Sequence, residues 1–205
     1  MSTASFIGSD TTTKGSWRGV YGSDGNYIAT LAANQPPGRT VTLVTGATFA
    51  WDPASADPRS LQYPTGSSRI ASIFFGNPVL HSIISSVSKP YDLQVYFDDH
   101  DLGGRACSVN IYDWNTLASL DTQSVSSTNY ANGYWLKWQI TGDIGINCTL
   151  VSGPNIGPSG IFISEQGRGA KGGGNNGKGK GGGGKNVIVP LGACLMNIGN
   201  PGVDF

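Results

Sequence analysis

The feature that most restricts this chain is a two-residue hydrophobic period that keeps restarting between turn residues. Tyr91, Leu93, Val95 and Phe97 alternate with Asp92, Gln94 and Tyr96. Cys107, Val109 and Ile111 alternate with Ser108 and Asn110, and Tyr134, Leu136, Trp138 and Ile140 follow Gly133. Beyond Thr141-Gly142-Asp143 the pattern resumes at Ile144, Ile146, Cys148 and Leu150. Successive side chains on a strand point to opposite faces, so each run offers one face to a core and the other to solvent. Shorter runs of the same kind fall at 27–31, 40–45, 48–51, 69–75, 80–85, 120–126 and 160–164. No segment carries a 3.6-residue stripe, and there is no internal repeat of solenoid or propeller length. The expectation is an all-β fold, a jelly-roll-like β-sandwich of about nine or ten short strands.

Composition agrees. Only 13% of residues are charged and Glu165 is the single Glu, so the usual vocabulary of helix surfaces is nearly missing. Formal net charge is zero but uneven: residues 1–166 hold eight basic and twelve acidic residues, and the remainder holds five basic and one acidic. The sandwich therefore has no electrostatic reason to bind nucleic acid. Cys107, Cys148 and Cys194 lack metal-knuckle spacing, and the first two sit in apolar alternating runs, which predicts buried free thiols. No secretory leader pattern follows Met1 and no run is long enough to span a membrane, so cytoplasmic synthesis and no membrane partner are expected.

Near residue 166 the composition breaks. Gly supplies eleven of the nineteen residues 167–185 and Lys or Arg five, before the chain turns apolar again. The expected organisation is a β-sandwich domain over 1–166, a flexible Gly/Lys-rich tether over 167–186, and an apolar docking peptide over 187–205. Treated as a Gly-rich coil, the tether reaches about 22–27 Å. Val187, Ile188, Val189, Leu191, Leu195 and Met196 are the candidate assembly residues, suited to adding a strand to a neighbour's sheet edge or to docking on their own sandwich. A plain solvated linker is the alternative. The single Arg and missing aromatics argue against an RNA-binding tail.

Two groups in the sandwich segment could carry chemistry. Residues 15–26 are dense in Gly, aromatic and short polar residues. Trp17 and Tyr21 could stack on a sugar ring with Arg18, Asp24 and Asn26 as hydrogen-bond partners, or Trp17 could pin the loop to a core. Asp98, Asp99 and Asp101 end a strand and precede Gly103-Gly104. Three carboxylates in four residues could coordinate Ca²⁺, although the spacing is not that of an EF-hand, or one could pair with Arg105 and fix the loop. No other cofactor is expected. His81 and His100 lie in no catalytic motif, and nothing singles out a carboxylate pair, so an enzyme is not expected.

Residues 15–26 resemble the start of a galactose-binding-domain-like β-sandwich, a module appended to large bacterial proteins. Trp51 followed by Asp57-Pro58-Arg59-Ser60-Leu61-Gln62, the Tyr91–Phe97 run leading through the aspartates to Arg105, Gly133-Tyr134-Trp135, and Ser159-Gly160-Ile161-Phe162 fit the same pattern. The resemblance covers about residues 5–164 and implies a carbohydrate-binding role. Two functions follow as expectations. The first is a non-enzymatic structural or decoration subunit of a larger particle, such as a phage-type virion, contacting neighbouring subunits through its C-terminal arm. The second is a lectin-like module for surface glycans, assisted by Ca²⁺. The expected location is a virion or another extracellular assembly.

Overall fold

The computed structural model describes residues 1–86 and 88–166. The tether and the docking peptide, with all six candidate assembly residues, lie outside them. The described chain is an all-β sandwich of two antiparallel sheets, as the alternation requires. Its strands are β1 (Thr3–Asp10), β2 (Gly25–Ile28), β3 (Arg39–Ser55), β4 (Leu61–Gln62), β5 (Arg69–Ser85), β6 (Tyr91–Phe97), β7 (Ala106–Asp113), β8 (Ser119–Val125), β9 (Tyr134–Thr141), β10 (Ile144–Ser152) and β11 (Gly160–Glu165). A single helical turn and a half, α1 (Ser127–Asn132), joins β8 to β9. Ser126 caps it by accepting the Asn129 amide, and Gly133 ends it at φ 79°.

One sheet has the order β1-β9-β6-β11-β2 and the other β3-β5-β10-β7-β8, with β4 paired to β5. From β5 onward, apart from the β7–β8 hairpin, the chain passes from sheet to sheet in jelly-roll manner, which interleaves distant segments in one core. Leu93, Val95 and Phe97 of β6, Leu136, Trp138 and Ile140 of β9, and Ile161 and Ile163 of β11 face Val109 and Ile111 of β7 and Ile144 and Ile146 of β10. Cys107 and Cys148 are free thiols buried in this core, and burial pushes the Cys107 thiol up to about 12.

Two departures from the alternation matter. Tyr96 and Gln94, expected on a solvent face, are buried. Tyr96, Trp135 and Phe162 form a second core on the outer face of the first sheet with Ile28, Leu61 and Ile70, and Trp17 closes it. That sheet is therefore covered on both faces. The second departure is in β3 and β5, each of which runs unbroken for 17 residues where the sequence suggests two strands. Register shifts near Thr45 and between Ala50 and Asp52 absorb the interruptions. Gly46 makes the first of these workable, since a Cβ there would lie 2.9 Å from the Phe75 carbonyl oxygen and its φ is +107°. Among the described residues no helix is long and apolar enough to cross a membrane.

Candidate functional site

The long β3–β5 pair carries its own cleft. Phe49 pairs with Ile73 across the two strands, and Ala47 pairs with Phe75. Residues two apart on a strand share a face, so Phe49, Ile73 and Phe75 lie together, opposite the Phe74 ring that enters the main core. Trp51 joins them across the register shift. Above this apolar floor stand Asp101 and Arg105 from the β6–β7 loop and Pro154 and Asn155 from the β10–β11 loop, enclosing about 330 Å³. Phe49 is 50% exposed, so half of its ring is open to the cleft and solvent. The Phe49 ring meets Trp51 edge-on at 5.7 Å, and the Arg105 guanidinium lies 5.2 Å from the centre of the Trp51 ring.

The polar rim is held by a buried charge network. Asp99 is fully buried and accepts the Gly103, Gly104 and Arg105 amides at 3.1, 2.9 and 3.1 Å. It also pairs with the Arg105 Nη1, which the Asp101 carboxylate shares. Arg105 Nε donates to Asn155 Oδ1 at 3.1 Å, tying the two loops together. Burial raises the Asp101 carboxyl, but the hydrogen bond and charge of Arg105 outweigh it and hold the group below the usual carboxylate range. Asp101 keeps 42% of its side chain exposed at the mouth of the cleft.

Asp98 turns the other way. It is 2% exposed, and its Oδ1 lies 3.6 Å from Arg59 Nη1, an ion-pair distance too long for a hydrogen bond. Burial first, and then the charges of Asp57, Asp99 and Asp101, push its carboxyl up to about 7 against the pull of Arg59. Of the three expected calcium ligands, Asp99 and Asp101 meet on Arg105 Nη1 and Asp98 turns away to Arg59. Asp98 faces Arg59, Asp99 faces Arg105 and three amides, and Asp101 stands on the rim. Among the described residues no group of three acidic, His or Cys side chains is placed to hold a metal ion. Asp99 pairing with Arg105 and holding the loop through three amides is the alternative expected from the sequence.

The other expected site also comes apart. Trp17 is 5% exposed, donates its indole N–H to the Gln62 carbonyl at 2.8 Å, and packs 4.9 Å from Phe162. Tyr21 packs 4.5 Å from Trp135 and donates its hydroxyl to Asp10. Asn26 is buried in β2, with its backbone paired to Asn34. Arg18 is exposed, and Asp24 lines a different cleft with Arg39, Lys89 and Glu165. These five residues present no common face, because the uncovered outer side of the first sheet draws both aromatic rings inward. The residues that do share a cleft, Phe49, Trp51, Phe75 and Asn155, were absent from the sequence-derived site. Their signal was an aromatic pair two residues apart, opposite a second apolar pair with the same spacing.

No protein-family model matches this sequence, and no curated protein matches it. Among solved structures, a family 35 carbohydrate binding module from an environmental isolate is similar at 12% identity, with a TM-score of 0.39. The match covers 68% of this chain and 93% of that one. A likeness this slight assigns neither fold nor ligand.

Proposed function

We propose that this chain is a non-catalytic carbohydrate-binding β-sandwich whose site is the β3–β5 cleft. The observation that carries this is the half-exposed Phe49 beside Trp51 and Phe75, facing Asp101, Arg105 and Asn155 across one concavity. Sugar rings have apolar C–H faces and polar edges, so a flat aromatic floor with a rim of carboxylate, guanidinium and amide complements both. The rim is ordered before any ligand arrives, because Asp99 and Asn155 fix Arg105, and pre-ordering lowers the cost of binding. The shifted carboxyl of Asp98 does not line the cleft and His81 is buried in the core, which favours binding over catalysis.

A glycan array probed with the full chain tests this. Wild type should bind a restricted set of glycans. Phe49→Ala should weaken that binding about tenfold, roughly 1.4 kcal/mol, with little change in stability because the ring is half in solvent. No binding anywhere on the array, or a Phe49→Ala protein that binds like wild type, removes the proposal. A structural subunit remains the other expectation, but it rests on residues 187–205, and nothing in the described residues favours it.

A further inference from the structure

The cleft's own charges narrow the class of sugar. Among the described residues, Arg105 and Asp101 are the only charged side chains lining it. Arg105 is 3% exposed and is neutralised from behind by the buried Asp99 before Asp101 is counted. The exposed charge at the mouth is therefore the Asp101 carboxylate, and Arg105, shared between Asp99 and Asp101, leaves this three-residue network with one more negative than positive charge. Nearby, Arg59 is occupied by Asp57 at 2.6 Å and faces Asp98, so it offers no spare cation. The aromatic floor has the same preference, since ring faces attract cations, and Arg105 already sits over the Trp51 ring in that way.

Resting on the carbohydrate reading of this cleft, we infer that its ligand is a sugar carrying a free primary ammonium, seated between the Asp101 carboxylate and the exposed Phe49 ring. A neutral sugar keeps the stacking and the hydrogen bonds but lacks the ion pair. An acidic sugar places its carboxylate against Asp101, with Arg105 already taken. The ion pair is partly solvated, so its effect is modest and depends on salt.

The test is calorimetric titration of the full chain with three β-1,4-linked tetrasaccharides built from glucosamine, glucose or glucuronate. The glucosamine oligomer should bind about fivefold or more tighter than the glucose oligomer, and the glucuronate oligomer should bind weakest. Asp101→Asn should bring the glucosamine-to-glucose ratio close to one. Because that substitution also touches the Arg105 network, wild type provides a second readout: the ratio should shrink as salt rises from about 20 to about 500 mM. Equal binding of the glucosamine and glucose oligomers, tighter glucuronate binding, or a ratio indifferent to salt overturns the inference while leaving carbohydrate binding intact. Binding of none of the three overturns it too, and the array then decides whether the carbohydrate reading survives.

Discussion

Two buried titratable groups should hide each other's effect on stability, and single substitutions should expose both. His81 is fully buried on β5, with its ring edge-on to Phe74 at 4.7 Å and neither ring nitrogen hydrogen-bonded. Burial pushes this imidazole from 6.5 down to about 3. Between those values the unfolded chain binds a proton that the folded chain does not, so stability falls as pH falls. Asp98 has the opposite sign. Its carboxyl rises from 3.8 to about 7, so the folded chain binds the extra proton and stability rises as pH falls through that window. Each slope is about 1.4 kcal/mol per pH unit. Going from pH 6.5 to pH 4.5, His81 costs roughly 2.4 kcal/mol and Asp98 returns roughly the same. Wild type should therefore show almost no net dependence from this pair. His81→Leu should gain about 2.4 kcal/mol over that interval, Asp98→Asn should lose about as much, and the double variant should again be flat. Urea unfolding of all four proteins at three pH values measures this, and the remaining carboxylates contribute a background common to all. If His81→Leu follows the wild-type pH dependence, the histidine is not held neutral by burial and the reasoning fails.

Two further outcomes follow from packing. Trp17→Ala should cost about 3–5 kcal/mol in urea unfolding, since the ring closes the second core; a loss below about 1 kcal/mol would return Trp17 to the surface. Gly145→Ala should destabilise by about 1–3 kcal/mol, because a Cβ there would sit 2.0 Å from Tyr112 Cζ. Tyr112→Ala should remove most of that penalty, so a double-mutant cycle with no coupling would refute the contact.

The main core was legible because its strands obey the two-residue period with few exceptions. Tyr91–Phe97, Tyr134–Thr141 and Gly160–Glu165 follow the expected runs within a residue or so. β1 was not legible. It is an edge strand whose side chains are half-buried or exposed, so burial imposes no period on Thr3–Asp10. The joined strands β3 and β5 were hidden for a different reason. Gly46 and Gly76-Asn77-Pro78 carry the composition of turns, yet a bulged pair can absorb those residues without ending.

The same limit governs which aromatic rings face outward. An aromatic residue in a polar, Gly-rich loop looks like a ligand platform, and an aromatic residue in a strand looks like core. The choice between them depends on whether the neighbouring sheet face is already covered. Trp17 and Tyr21 are inward because Tyr96, Trp135 and Phe162 leave an apolar outer face that the loop must cover. Phe49 is outward because the part of β5 beneath it already places Phe74 in the main core and Ile73 under the cleft. Arg105 and the aspartates follow the same logic. Their spacing shows that the charges are close and allows the Asp99–Arg105 pair within one loop, but Asp98 meets Arg59 only because a separate loop brings that arginine in. A single residue's type therefore says little about function here until the covering of each sheet face is known.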